Sequence, residues 1–441
     1  MTLAPLAAPS LRRNSLWVLS GQGAKLLLQG LYFVLIGRAL GSKQYGAFIG
    51  VAALIAVLGQ FATWGSGMMM LRSVSRDRAT FARAWGNALL MTGCLSVVVV
   101  ALVFSLAHLF FSAQLLVIVP FIAFADTVCT KLVELSSQAF QGFHRLRDTA
   151  QIIALTSAIR VAAAAVLFIE YRHAAGSASA LAWAKLYLGA SIVAAIVAVL
   201  LVTIRLGLPK FGRISRQYWT EGLGFSVAYS TTSIYNDVDK VMLASLGQLR
   251  AAGIYGTAYR IVDIACVPIS AVHSAAMPQF FSRGHEGPRA MRGFVRRLLS
   301  RTSLYAIAAA VLLASGAGLV PLLMGPSYAG SVSAIRWLCL LPLLRSFHLA
   351  AGDCITATSS QWWRTTSQLM AALFNLLLNF FLIPRWSWQG AALASLLTDG
   401  ALAAANWLIL KRLSSRFPLN EVNVNTTVAT TIPISESFVT E

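Results

Sequence analysis

Fifteen ionisable side chains fall inside long apolar stretches of this chain. The cations are Lys25, Lys131, Arg160, Lys185, Lys240, Arg260, Arg336 and Arg345; the acids are Asp126, Glu134, Asp237, Asp239, Asp263, Asp353 and Asp399. A charge at the centre of a membrane-spanning helix costs about 2.5–3.5 kcal/mol on the insertion scale. The central ones must therefore face a cavity or one another. Lys185, Arg336 and Asp353 lie near the ends of their stretches, from where they can snorkel.

Their spacing is helical. Gln22, Lys25 and Gln29 sit at i, i+3 and i+7, and Thr127, Thr130, Lys131 and Glu134 share a face that Gln138 and Gln141 continue. Ser226, Ser230, Ser233, Asp237 and Lys240 recur every three or four residues, Arg260 and Asp263 are spaced to pair, and Asn375 and Asn379 mark one more polar face. Each stripe alone is equally well read as interhelical hydrogen bonds or ion pairs that hold a bundle together. Stripes on five helices favour a shared central cavity. Cations there suit a phosphate or carboxylate, which Lys and Arg hold by charge-assisted hydrogen bonds. Acids there suit proton or sodium coupling, and His273 and His348 also fall in apolar segments.

The elements that position these residues follow from composition. Of 441 residues 57% are hydrophobic and only 11% charged, against about 25% charged in soluble domains. That excludes a soluble enzyme and a secreted scaffold, and leaves an all-α polytopic membrane protein. Windows of about 20 apolar residues predict twelve spans: 15–37, 45–70, 85–111, 115–139, 149–169, 180–204, 221–246, 251–276, 298–323, 331–352, 365–383 and 388–410. Ten helices with two re-entrant segments is the competing count, because the seventh and eighth spans carry so much charge. The five cysteines, Cys94, Cys129, Cys266, Cys339 and Cys354, form no CxxC pair and read as buried thiols, not metal ligands. Arg12 and Arg13 precede a full-length apolar span, which does not read as a cleavable signal.

Lys and Arg divide 22 to five between the two sets of loops. The richer set includes both termini and the group Arg283, Arg289, Arg292, Arg296, Arg297 and Arg301. The positive-inside rule then predicts an inner-membrane protein with both termini in the cytoplasm. The net charge of +20 is thus mainly a topology signal, with affinity for anionic lipid headgroups, and gives no support to nucleic acid binding. Leu40-Gly41 with Tyr45-Gly46 recurs loosely as Leu246-Gly247 with Tyr255-Gly256, which suggests two halves. The expected division is 1–204 for one six-helix bundle, 205–220 for a basic linker, 221–412 for a second bundle and 413–441 for a polar, disordered tail. With an even number of spans per half, the repeat axis lies along the membrane normal.

Leu35-Ile36-Gly37-Arg38-Ala39-Leu40-Gly41 followed by Tyr45-Gly46, preceded by Gly21-Gln22-Gly23 and followed by Gly65 and Arg72, resembles the first hairpin of Wzx-type polysaccharide flippases. Asn236-Asp237-Val238-Asp239-Lys240-Val241-Met242-Leu243, with Gly253-Ile254-Tyr255 and Ala258-Tyr259-Arg260 behind it, is similar to that family's seventh-to-eighth span signature. The family belongs to the superfamily of multidrug, oligosaccharidyl-lipid and polysaccharide exporters. The resemblance implies two six-helix bundles around a V-shaped cavity. It also implies a polyprenyl-pyrophosphate-linked oligosaccharide as substrate, alternating access, and a polymerase and glycosyltransferases as pathway partners. On that reading Lys25, Lys131, Arg160, Arg260 and Arg345 contact phosphate or acidic sugar, while Gln22, Gln29, Asn375 and Asn379 contact the glycan. Asp126, Glu134, Asp237, Asp239 and Asp263 couple transport or hold the cations, and Lys240 either shares that work or latches the hairpin.

Two other classes compete. A cation-coupled multidrug antiporter on the same fold would prefer an acid-dominated cavity. A membrane polymerase or ligase would place its working residues on a sizeable outer loop, and the first such loop, Arg38 to Gln44, contains no acid. No phosphate-binding glycine loop, nucleophile arrangement, metal-ligand cluster or cofactor motif appears, so a non-enzymatic transporter is expected.

Overall fold

Two long helices show how the apolar segments become spans. α1 (Leu11–Leu58) would reach about 72 Å if straight, yet Gly41 leaves the helix at φ 66°, ψ 170°. The rings of Phe33 and Tyr45 lie 5.9 Å apart, where twelve residues of continuous helix would separate them by about 18 Å. The chain therefore reverses at Gly41. α15 (Gln361–Arg416) reverses at Ser387, φ 53°, just after Pro384, so that the Asn375 amide reaches the Thr398 hydroxyl at 3.2 Å across 23 residues. The computed structural model describes residues 11–171, 178–214, 216–284, 287–358 and 360–416, with side chains from Leu27 onward except Gln217 and Arg416.

Between these hairpins the order is helical throughout. α2 (Ser66–Arg76) and α3 (Phe81–Phe110) are followed by a broken span of α4 (Ala113–Leu116), α5 (Val119–Phe124), a π-helical turn at Ala125–Cys129 and α6 (Thr130–Gly142). α7 (Leu146–Glu170) and α8 (Ala180–Leu206) complete the first half. The second half opens with α9 (Arg216–Ser245), α10 (Leu249–Gly284) and α11 (Arg292–Gly316). Then come α12 (Leu319–Met324), α13 (Gly330–Leu338), α14 (Leu341–Ala357) and α15. Eight of the described helices are long and apolar enough to cross a membrane; with α1 and α15 divided at their reversals, and α4–α6 and α9 added, the twelve predicted segments are all present. The seventh and eighth are continuous helices, not re-entrant loops: their acids Asp237, Asp239 and Asp263 are paired inside the protein, and Arg260 faces a cavity.

The reversals at Gly41 and Ser387 lie on one face of the molecule, called here the turn face. Arg72, Arg145, Arg205, Arg283 and Arg297 lie on the opposite, basic face. The hydrophobic cores explain the shape between them. One core holds Ile36, Phe48, Trp183, Tyr255 and Tyr328 and so joins both halves toward the turn face. Nearer the basic face each half packs separately, around Trp85, Phe140 and Val202 in the first and Phe280, Met291 and Ile355 in the second. Two six-helix bundles joined at one end enclose a V.

Backbone contact makes the joint tight. A Cβ on Gly46 would fall 1.8 Å from the Leu249 carbonyl oxygen, and one on Gly253 1.9 Å from that of Ser42. The Ser42 amide donates to Ser327 Oγ at 3.2 Å, and Tyr328, fully buried, stacks edge-on with Tyr45 at 6.4 Å. One edge of the V is also closed, since Ser230 and Ser226 of α9 donate to the carbonyls of Val57 and Gln60. Two expectations change here. Cys94 is exposed on the helical surface while the other four thiols are buried. Asp353 does not snorkel: it is 2% exposed and pairs with His273 at 2.7 Å and Arg364 at 3.0 Å, which is cheaper than reaching the headgroups from an inward-facing position.

Candidate functional site

Two adjoining cavities occupy the V and share Gln29 and Arg160 on their walls. The larger, about 730 Å³, runs toward the basic face along Gln60, Lys131, Glu134, Gln138, Gln141 and Arg160. The deeper, about 510 Å³, ends beneath Tyr45 and Gly256 and is lined by Asp126, Tyr187, Asp237, Lys240, Arg260 and Asp263. It therefore ends against the turn-face seal, since Tyr45 and Gly256 lie within one helical turn of Gly46 and Gly253. Among the described residues four cations and four acids line the two cavities together, so their formal charges balance and the position of each matters.

On the first-half wall the π-helical turn inserts an extra residue and aims Asp126 at α8. Such turns are recurrent at functional sites. Asp126 accepts from Tyr187 Oη at 2.6 Å and from Thr130 Oγ1 at 3.4 Å. Arg160 of α7 donates to Thr130 at 2.9 Å and lies over the Tyr187 ring at 5.2 Å, while its Nε has no partner. No acid lies within 4.0 Å of it among the described residues. Lys131 is 7% exposed and donates to Glu134 at 2.9 Å and to Gln60 Oε1 at 3.2 Å. Glu134 keeps its side chain 49% exposed, toward the cavity. These are groups with unused hydrogen-bonding capacity around a space.

The second-half wall is built differently. Lys240 pairs with Asp237 at 2.8 Å, binds the Asn236 carbonyl and rests over the Tyr259 ring at 4.5 Å. Asp239, 1% exposed, accepts from Tyr255, whose hydroxyl also contacts Ser395 at 3.0 Å. Arg345 binds Asp263 at 2.6 Å and the Tyr259 hydroxyl at 2.8 Å, and approaches Asp399 at 3.6 Å. Tyr235 and His348 complete the surroundings of Asp399. Arg260 alone is an exposed cation on this wall, with no ion pair among the described residues.

Several expected roles shift with these positions. Arg260 and Asp263 do not pair, because Arg345 arrives from α14 with a planar fork that holds Asp263 and Tyr259 together. Arg345 and Asp239 line neither cavity. Asn375 and Asn379 are buried at 2% and 0%, bonded to Thr398 and to each other, and pack the α15 hairpin away from both cavity walls. The structure brings Gln29, Lys131, Glu134, Arg160, Asp126, Asp237, Lys240, Arg260 and Asp263 to the cavity walls. Gln22 and Lys25 have side chains outside the described residues. Gln60, Tyr187, Tyr259 and Asp399 were not singled out by spacing. Tyrosine reads as apolar in a span, and only the fold reveals its hydroxyl as a partner for a buried charge. No group of three or more His, Cys, Asp or Glu able to hold a metal occurs among the described residues.

A two-bundle helical V of this kind is the architecture of membrane transporters, and solved structures share it. One titled as the inward-facing conformation of a multidrug resistance MATE family transporter of the MOP superfamily matches with TM-score 0.71 and 14% identity, over 89% of this chain and 95% of that one. The outward-facing conformation of such a transporter gives 0.58 at 13% identity, over 91% and 96%. A MOP superfamily transporter from Pyrococcus furiosus, whose title reports a reversed binding-pocket polarity suggesting a different function, gives 0.54 at 14%, over 91% and 95%. No curated protein sequence matches significantly. The family model for polysaccharide biosynthesis proteins matches residues 11–283, well over half of the chain. The chain thus belongs to the polysaccharide biosynthesis protein family, that of the Wzx-type flippases, and is a multi-pass membrane transporter.

Proposed function

We propose that this transporter carries polyprenyl-pyrophosphate-linked oligosaccharide repeat units from the cytoplasmic to the outer leaflet of the bacterial inner membrane, for cell-surface polysaccharide synthesis. The observation that carries the reading is the wall chemistry. Arg160, Lys131 and Arg260 present cations to a space that also offers Gln29, Gln60, Gln138 and Gln141. A pyrophosphate takes the cations, a glycan takes the amides, and the polyprenyl tail stays in the bilayer. The cavity runs to the basic face and is sealed at the turn face. With the basic face cytoplasmic, the chain stands loaded from inside, in keeping with its closer likeness to the inward-facing neighbour. On this reading residues 1–204 and 221–412 rock as two bodies across the 205–220 linker, with both termini in the cytoplasm. The polymerase and glycosyltransferases of the pathway act before and after it.

Replacing Lys131 or Arg260 with Ala should impair polysaccharide export while leaving membrane levels unchanged. Normal export in both variants would overturn the assignment. Orientation is read independently by an impermeant thiol reagent, which should reach a cysteine at Ser327 from outside and one at Arg292 only from inside. A second reading, cation-coupled drug export, draws on Glu134, whose carboxylate is half exposed to the cavity. It predicts that expression protects cells from lipophilic cations and that Glu134→Gln removes the protection.

A further inference from the structure

Away from the central V, a groove of about 450 Å³ lies between α10 and α11 near the basic face. Its floor is apolar, with Val272, Ala276 and Leu298, and its rim carries Arg283, Arg297 and Arg301. We propose that this groove binds the headgroup of an anionic glycerophospholipid of the adjacent leaflet, with the acyl chains lying along α11.

Four observations support that occupant. Firstly, the depth fits. α10 is 36 residues long, about 54 Å, against a hydrocarbon core of about 30 Å. Counted from its turn-face end at Leu249, the stretch from Val272 onward emerges at headgroup level. Secondly, the charge is uncompensated: none of the three arginines has an ion pair among the described residues, and the segment 283–301 contains six arginines and a single acid, Glu286. Thirdly, the site has form. Arg283 is held over the Phe294 ring at 4.7 Å, and Tyr305 donates to the Ala265 carbonyl at 3.0 Å, which pinches α10 and α11 together on the membrane side of the groove. Fourthly, polarity changes in the right direction. Arg297, Arg301, Leu304 and Val311 follow one helix face, and Leu304 and Val311 are 71% and 64% exposed. A ligand that is anionic at one end and apolar at the other matches that gradient. A nucleic acid or an acidic peptide would leave its apolar half without a partner. Basic pockets between helices at the cytoplasmic surface bind acidic lipid headgroups elsewhere for the same reason.

The test uses the full chain purified in detergent, with phosphatidylglycerol, phosphatidylcholine or inorganic phosphate added, and bound lipid counted by native mass spectrometry. Wild type should retain phosphatidylglycerol in preference to phosphatidylcholine, and inorganic phosphate should not displace it. Each of R283Q, R297Q and R301Q should lower retention roughly fivefold, whereas R76Q/R78Q on the other bundle should leave it unchanged. Ala275→Phe, which fills the groove and leaves every arginine in place, should also lower it and reads the site should the arginine variants fail to fold. Equal retention by the arginine variants and by A275F would overturn the proposal. So would equal retention of the zwitterionic lipid, or displacement by free phosphate. None of these outcomes depends on transport activity, so the cavity assignment stands or falls separately.

Discussion

In the first bundle, Lys131, Glu134 and Arg160 stand on the wall of a cavity with hydrogen-bonding capacity to spare. In the second, Arg345, Asp399 and His348 are the same kinds of residue, yet they are folded into a network behind the wall, with Asp263 and Tyr259 as its edge on the deep cavity. The difference teaches that an ionisable residue inside a membrane has two destinations. One is a surface that a ligand completes; the other is a set of partners that completes itself. Composition and helical spacing look alike in both cases, and only the third dimension separates them.

The largest expected effect lies on the closed side. Arg345→Ala leaves the buried Asp399 without its cation, and breaking a buried pair from one side costs about 3–5 kcal/mol. Thermal unfolding in detergent should show a strongly lowered midpoint, and adding Asp399→Asn should recover part of it. A recovery of export without any change in stability would contradict the division between the halves. Next comes the joint between them. Gly253→Val forces a side chain against the Ser42 carbonyl, and overpacking of this kind costs about 1–3 kcal/mol. A cysteine at Ile49, which lines the deep cavity, should then label faster from the turn face, and unchanged labelling would show that the seal yields elsewhere.

On the open side, Arg160→Ala should reduce export about 10–100-fold through a lost charge-assisted bond to substrate, equivalent to roughly 1.5–3 kcal/mol, with less loss of stability than Arg345→Ala. Arg260→Ala should change stability by no more than about 0.5 kcal/mol, as for an exposed position, and still impair export. The smallest effect on transport is expected at Asn379→Ala, whose amide only bonds Asn375; export should persist with about 1 kcal/mol lost in stability. A transport defect there without destabilisation would move the α15 hairpin back to the cavity wall.

Much of the fold was legible because bilayer thickness fixes segment length and loop charge fixes alternation. The reversal at Gly41 was readable from the Leu-Gly and Tyr-Gly pattern around it. The reversal at Ser387 was placed to within a few residues, between the eleventh and twelfth spans. Cavity residues on regular helices, Lys131, Glu134, Asp237 and Lys240, were readable from their i, i+3 spacing. Asn375 and Asn379 share that spacing but turn toward their own hairpin partner, which spacing alone does not encode. Asp126 was found as a charge in a span, but the π-helical turn that aims it at Tyr187 leaves no mark in the pattern of polar residues. That Arg345 sits behind the cavity wall was not legible, because its partners, Asp263 and Asp399, are 82 and 54 positions away in the chain.

α10 carries Gly253 at the turn-face joint, Arg260 and Asp263 on the cavity wall, and Arg283 at the basic-face groove. Seen as a machine part, it is a single rod that touches every working surface of the second bundle. Pro268 and Pro278 interrupt its hydrogen-bond ladder, freeing the carbonyls of Ile264 and Ser274. They are the joints of that rod. In the proposed transport cycle, where the two bundles part at Gly46 and Gly253, the arginine groove must either swing with the rod's far end through the headgroup layer or stay anchored while the rod bends at its prolines.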